Sequence, residues 1–204
     1  MIAIIDYGLG NVQAFVNVYN RLDIPVNVAK SIDDLVGTTK IILPGVGSFD
    51  RAMQQFNSSG MRKLIEQLVL EEGIPILGVC VGMQMLANSS EEGKLSGLGW
   101  IDGKVKKFDV TSMLQTKNLP HMGWNNVVPE IEDGLFKDMK GKKRFYFLHS
   151  YYFDCYQESN IIGVTDYGFH FTSAIKKNNI FGVQFHPEKS HRYGVQLLKN
   201  YSEI

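Results

Sequence analysis

Cysteine is scarce in this chain of 204 residues: there are two, Cys80 and Cys155. They do not stand at the short spacing that holds zinc, which argues against a cysteine-based zinc site. One disulfide between them stays open on the residues alone, but so sparse a count points to free thiols and a cytoplasmic setting. Excess charge is also missing, with 21 Lys and Arg against 21 Asp and Glu. A zero balance leaves no electrostatic footprint for nucleic acid or an anionic membrane. A near-neutral surface keeps a lone chain less soluble, which favours a protein that works in a complex. Long apolar runs are absent too, and none approaches the roughly 20 residues that cross a bilayer. Met1-Ile2-Ala3-Ile4-Ile5-Asp6 lacks a basic region and turns polar at once, so it reads as a strand rather than a signal peptide.

What is present is ordinary globular material, 44% hydrophobic and 21% charged. The length suits a single domain over residues 1–204, with no internal repeat, low-complexity tract or linker. Ile2 to Ile5, Val26 to Ala29, Ile41 to Leu43 and Ile76 to Val79 are short apolar strands, the third stopped by Pro44-Gly45. Helical spacing runs through Val12, Phe15, Val16, Tyr19 and Leu22 behind Asn11 as N-cap. It recurs from Phe49 to Leu70, with a break at Ser58-Ser59-Gly60, and from Met83 to Ala87. Apolar strands without polar alternation, separated by helices, predict a parallel sheet covered on both faces. Later strands at Tyr146 to Leu148, Ile161 to Val164, Ser173 to Ile175 and Ile180 to Phe185 have tight connections. The turn at Lys177-Asn178-Asn179 suits a hairpin, and Val195 to Tyr201 closes the chain as a helix. The fold class is therefore α/β, a three-layer α/β/α arrangement with a mostly parallel central sheet plus antiparallel strands.

Gly78-Val79-Cys80-Val81-Gly82 lies between a strand and a helix and has the form of a nucleophile elbow. The sharp turn strains the central residue and projects its side chain at the strand end, while flanking glycines remove clashes. The positive end of the following helix favours thiolate, and the amide after Cys80 can donate to an oxyanion. Most free cysteines are small buried hydrophobes. The two glycines and the strand–helix context outweigh that reading for Cys80, and nothing similar surrounds Cys155, which reads as structural.

A sulfur nucleophile needs a base that can also protonate a leaving amine, which histidine does near neutrality. His186 follows the strand ending at Phe185, with Glu188 two residues on and Pro187 stiffening the link. Glu188 could hold the imidazole in one tautomer. His149 also ends an apolar strand; the fixed carboxylate favours His186, and the residues alone leave His149 open. Pro44-Gly45-Val46-Gly47-Ser48 is a glycine turn whose amides could donate to an oxyanion or a substrate carboxylate, or could simply join a strand to a helix. It lacks the Lys-Ser or Lys-Thr of a phosphate loop. Gly8-Leu9-Gly10-Asn11 lacks the third glycine of a dinucleotide turn, since Gln13 holds that place.

Taken together these motifs resemble class I (triad) glutamine amidotransferases over essentially the whole chain. The stretches that carry the resemblance begin with Ile5-Asp6-Tyr7-Gly8-Leu9-Gly10-Asn11, Leu43 to Phe49 and Gly78-Val79-Cys80-Val81-Gly82-Met83-Gln84. They continue with Pro120-His121-Met122-Gly123-Trp124-Asn125, Phe147 to Tyr152 and Gln184-Phe185-His186-Pro187-Glu188-Lys189-Ser190. Cys-x-Gly-x-Gln with a distant His-Pro-Glu is specific to the class. The block at Pro120 is similar to glutaminase subunits of imidazole glycerol phosphate synthase, from histidine biosynthesis.

The resemblance implies that Cys80 attacks the carboxamide of L-glutamine, that His186 is base and then acid, and that Glu188 orients it. It implies that Gln84 hydrogen-bonds the substrate. The stretch Pro44, Gly45, Val46 and Gly47 would supply an oxyanion amide after a peptide flip, with the amide of Val81. Trp124 and Lys189 would lie where ammonia leaves for a (β/α)8-barrel cyclase, the other half of a heterodimer. No metal and no cofactor is implied. Two further readings stand beside this one. The turn at Ile101-Asp102, where a proline is expected, resembles paralogs that supply ammonia to amidate a surface-polysaccharide sugar. A non-catalytic binding module on the same fold would need a degraded triad, and Cys80, His186 and Glu188 are all present.

Overall fold

The computed structural model describes residues 1–109 and 118–204. Its first half supplies β1 (Ile2–Ile5), α1 (Val12–Arg21), β2 (Val26–Ala29), β3 (Lys40–Gly45), α2 (Phe49–Ser58), α3 (Arg62–Glu66), β4 (Ile76–Cys80) and α4 (Val81–Gln84). The second half is rich in strands: β5 (Ser89–Ser90), β6 (Gly103–Lys107), β7 (His121–Pro129), β8 (Lys143–His149), β9 (Tyr151–Cys155), β10 (Ile161–Asp166), β11 (His170–Lys177) and β12 (Ile180–Val183). The helix α5 (His191–Glu203) follows. The sheet runs β2-β1-β3-β4-β12-β11-β10-β7-β8. It is parallel from β2 to β12, and antiparallel beyond.

Every residue of β1, β4 and β12 is buried. Successive strand residues point to opposite faces, so both faces of this part of the sheet are covered. Helix α1 packs on α5, and α2 on α4. Tyr201, fully buried on α5, ties that helix to the sheet by donating its hydroxyl to the carbonyls of Ile41 and Pro75. The strand–helix alternation expected in the first half is present, as are the break after Ser58 and the two-residue hairpin at Asn178-Asn179 joining β11 to β12.

Several expected boundaries move. Strand β3 does not stop at Pro44 but pairs through Pro44 and Gly45 with Val79 and Cys80. The carbonyl of Pro44 faces the Tyr7 hydroxyl, at 2.8 Å, so the missing N–H lies on the side where the ladder to β1 has already ended. The helix expected from Met83 to Ala87 instead starts at Val81 and is one turn long. The carbonyls of Met85, Leu86 and Ala87 accept the amides of Leu98, Trp100 and Gly99, so tertiary bonds replace helical ones. Strand β12 ends at Val183, and α5 begins at His191 rather than Val195.

Pairing of β12 between β4 and β11 positions the site. Val183 lies level with Val79, so the residues after β12 leave the sheet beside Cys80. Gly45 lies level with Cys80 on the other side. Three parallel strands thus end together, which is where open α/β sheets hold their ligands.

Candidate active site

Cys80 occupies the junction of β4 and α4 with φ +56° and ψ −112°, a region that L-residues avoid. Such a conformation costs on the order of 1–3 kcal/mol and persists only where the surroundings impose it. Here they do. A Cβ on Gly82 would overlap the carbonyl oxygen of Leu43, and one on Gly45 would overlap the amide nitrogen of Gly82. A Cβ on Gly78 would sit 2.6 Å from the Gly82 carbonyl oxygen. The glycines let β3, β4 and α4 close on one another, and Cys80 absorbs the turn. Cys80 is only 4% exposed, so its sulfur opens to solvent through a pocket rather than projecting freely as the turn alone suggests.

The pocket holds about 290 Å³ and is lined by Cys80, Val81, Gln84, Val46 and Gly47 on one side. His186, Lys189, Pro120 and Leu148 to Tyr151 line the other, with Glu92. The Nδ1 of His186 lies 2.9 Å from Oε1 of Glu188. Burial alone would push the His186 imidazole down, but the Cys80 sulfur beside it, as hydrogen-bond partner and charge, and then Glu188 lift it to about 10. The imidazolium is therefore the form this site holds at neutral pH, poised between a sulfur and a carboxylate.

His149, the rival base, also lines the pocket, but in another state. Burial lowers it to about 3, against a hydrogen bond to the Tyr151 carbonyl that raises it. It is a neutral imidazole bonded to His121 at 3.0 Å and to Tyr151 O at 2.7 Å. A group that stays neutral to such low pH is a poor proton shuttle near pH 7. His186 and His149 thus differ in their partners, a carboxylate for His186 against a carbonyl and a second imidazole for His149.

Gln84 is buried, and both hydrogens of its amide nitrogen are committed, to Tyr151 O at 3.2 Å and to Gln184 Oε1 at 3.0 Å. Its own Oε1 is left as the acceptor for a ligand. Lys189 stands at the pocket mouth with Nζ 5.9 Å from the Tyr146 ring. Trp124 is not in the pocket; it stacks on His191 at 5.0 Å and meets Tyr146 edge-on at 6.2 Å. Tyr146 in turn bridges to His186, so Trp124 lies two strands away from the base. Gly45 lies behind the pocket wall, with Val46 and Gly47 lining it.

Two residues were not singled out by sequence. Gln184 is fully buried, with Nε2 3.8 Å from the Cys80 sulfur. It stands two residues before His186, and strand alternation places such residues on one face, so the signal was available. Glu92 lies in a loop that reads as charged surface, yet its Oε2 accepts the Phe49 amide at 2.8 Å and it lines the pocket. Nothing in its local sequence marks it. Cys155 is a free thiol outside the pocket, as is Cys80 within it.

Residues 3–202 match the family model for glutamine amidotransferase class-I. The chain belongs to the class-I glutamine amidotransferase family. It is 56% identical, over all of both chains, to a Bdellovibrio bacteriovorus protein named imidazole glycerol phosphate synthase subunit HisH. It is 50% identical over the same full extent to a Leptospira interrogans protein of that name. Among solved structures it is similar to PurLQS from Thermotoga maritima, with a TM-score of 0.75 at 16% identity, covering 99% of this chain and 97% of that one. Such distant structural likeness shows the amidotransferase fold. The mixed sheet with helices on it is the architecture that the family resemblance implies.

Proposed function

We propose that this chain is, over its whole length, one glutaminase domain that hydrolyses L-glutamine to glutamate and ammonia as a subunit of imidazole glycerol phosphate synthase. The observation that carries the reading is the strained Cys80 set beside a raised His186, itself held by Glu188. The sulfur of Cys80 attacks the carboxamide carbon, and the carbonyl electron pair moves onto oxygen. Val81 N–H, at the start of α4, and an amide of the Gly45-Val46-Gly47 stretch receive that oxyanion. His186 gives its proton to the amide nitrogen, the C–N bond breaks, and ammonia leaves a glutamyl thioester. His186, now neutral, takes a proton from water as water attacks the thioester, and the Cys80–carbon bond breaks to release glutamate. Gln84 Oε1 accepts an N–H of the substrate, and Glu92 offers a carboxylate to its α-ammonium group.

Full-length relatives bearing the synthase-subunit name favour this reading over a paralog serving polysaccharide amidation, and an intact triad disfavours a non-catalytic module. We further propose a heterodimer with a (β/α)8-barrel cyclase docked over the pocket mouth. Met122 is 66% exposed, opposite the exposed Leu148, and Trp124 follows on the same face of β7. An apolar stripe of this kind beside an active-site mouth fits a covered interface. Enclosure would keep ammonia from protonation in water as it passes Lys189 and Trp124. Two free thiols support a cytoplasmic setting, and no helix among the described residues is long and apolar enough to cross a membrane.

Co-purification with its partner, followed by a glutaminase assay with and without the imidazole-pathway substrate, tests the reading. Stimulation by that substrate is expected. A partner from polysaccharide assembly, or no glutaminase activity in the complex, would refute it.

A further inference from the structure

A hydrogen-bonded chain leads from Asn125 on β7 through the buried His121 and His149 to the side-chain amide of Gln84. His121 and His149 face one another across β7 and β8, with His121 Nδ1 3.0 Å from His149 Nε2. His149 Nδ1 lies 2.7 Å from the Tyr151 carbonyl, which also accepts Gln84 Nε2 at 3.2 Å. On the other side Asn125 Nδ2 reaches His121 Nε2 at 3.2 Å and donates to Asp166 O at 2.8 Å, while its Oδ1 accepts the Asn126 amide at 2.8 Å.

Donor and acceptor accounting leaves one assignment. A carbonyl only accepts, so His149 carries its hydrogen on Nδ1 and accepts at Nε2. His121 must then donate from Nδ1 and accept at Nε2. The backbone bonds of Asn125 fix its amide so that nitrogen faces His121. Backbone groups anchor the run at both ends, so neither ring is free to flip. Aromatic walls hold the rings in place: Phe147 and Tyr167 stack on His121 at 4.7 and 3.9 Å, and Phe108 and Phe171 each lie 5.3 Å from His149. A proton added to His149 Nε2 would oppose the hydrogen of His121, which agrees with the lowered value of His149.

We propose that His121 and His149 are a positioning pair for Gln84, holding the Tyr151 carbonyl where it aims the Gln84 amide into the pocket. Neither histidine carries the reaction. The pair fixes the tautomer and direction of a donor to Tyr151 O, and that carbonyl, with Gln184, holds both hydrogens of Gln84 Nε2 and leaves Gln84 Oε1 to accept from substrate. Because the pair bridges β7 and β8, whose outer face carries Met122, Trp124 and Leu148, a shift of that ribbon would reach Gln84 directly. The inference rests on the glutaminase reading above.

The test uses the full chain in complex with its co-purified partner. Asparagine can place an N–H where His149 Nδ1 stands, and glutamine places its amide near Nε2. His149→Gln is expected to raise KM for glutamine about tenfold with kcat within about threefold, the loss of one positioned hydrogen bond. His149→Asn is expected to stay within about threefold of wild type in KM, because the donor to Tyr151 returns. If the His149 variants do not fold, His121→Asn and His121→Gln give the same comparison from outside the pocket. Equal KM values for the Asn and Gln variants, or a loss confined to kcat, would overturn the pair. A wild-type complex without glutaminase activity would overturn the glutaminase reading, and the pair with it.

Discussion

His186 and Glu188 face each other across 2.9 Å with side chains only 4% and 1% exposed. Pro187 between them opens a short helical turn, so a two-residue spacing becomes a direct contact. A buried contact of this kind orients the ring and stabilises its protonated form. Removing one partner therefore acts on geometry and charge together.

Cys80→Ala is expected to abolish glutamine hydrolysis while the fold persists, since the variant keeps the glycines that shape the turn and loses only sulfur. Steady-state ammonia release and thermal unfolding check both halves. Near-normal turnover would reassign the nucleophile.

Glu188→Gln is expected to slow turnover less than Cys80→Ala, since an amide can still accept from His186 Nδ1–H but cannot stabilise its charge. A drop of roughly 10²–10⁴-fold in kcat is expected for a lost orienting carboxylate. A loss equal to that of Cys80→Ala would give Glu188 another role.

The two pocket histidines set opposite pH limits on stability. His149, held by burial near 3 against an ordinary value of 6.5, stays unprotonated in the native chain while the unfolded chain takes up its proton. Stability should therefore fall as pH drops from 6.5 toward 3, by up to about 1.4 kcal/mol per pH unit from this group. Denaturant unfolding of His149→Asn should show a shallower fall. His186, raised to about 10, stabilises fully below 6.5 and loses that contribution as pH rises through 10. His186→Gln should flatten the alkaline limb only. Identical pH profiles for wild type and variants would contradict these assignments.

Gly82, in the elbow, should tolerate a side chain less well than Gly47, in the turn after β3. Gly82→Ala drives a Cβ into the Leu43 carbonyl, a backbone atom that cannot step aside, and should cost at least about 1–3 kcal/mol. Gly47→Ala meets open space, and only its φ of +86° penalises it, by roughly 1–2 kcal/mol. Unfolding free energies of the two variants provide the comparison; equal costs would mean that close packing at Gly82 is not what shapes the turn.

Much of this site is legible in sequence because its determinants are local. Glycines at Gly78 and Gly82 announce the turn at Cys80, and Pro187 with Glu188 announces an oriented His186. What could not be read is set by distant pairing. Strand β12 inserts beside β4, so Gln184 meets Cys80 across more than a hundred positions, and only the topology brings them together. Glu92 enters the pocket by accepting an amide at the start of α2, with no periodic signal to mark it. Strands β6 and β7 are not legible because polar and glycine residues break their pattern, as in Gly103-Lys104-Val105-Lys106-Lys107, and β9 follows β8 after Ser150 alone, with no turn residues to separate the two. The helix after Cys80 ends early because amides of the Leu98 to Ile101 segment donate to the carbonyls of Met85, Leu86 and Ala87, in place of the amides that helix continuation would have supplied.

Met122→Glu should weaken association with the partner, since it places a charge on the exposed apolar stripe of β7. A loss of at least about tenfold in affinity is expected for a desolvated charge at an interface, read by titration calorimetry or analytical ultracentrifugation. Unchanged affinity would place the docking face elsewhere.

The most direct test of the account is acid-quenched mass spectrometry of the partner complex turning over glutamine. A glutamyl group is expected on the peptide containing Cys80, lost on brief treatment with hydroxylamine and absent in Cys80→Ala. An active complex whose glutamyl adduct maps to Cys155, or that keeps turning over when Cys80 is alanine, would contradict it.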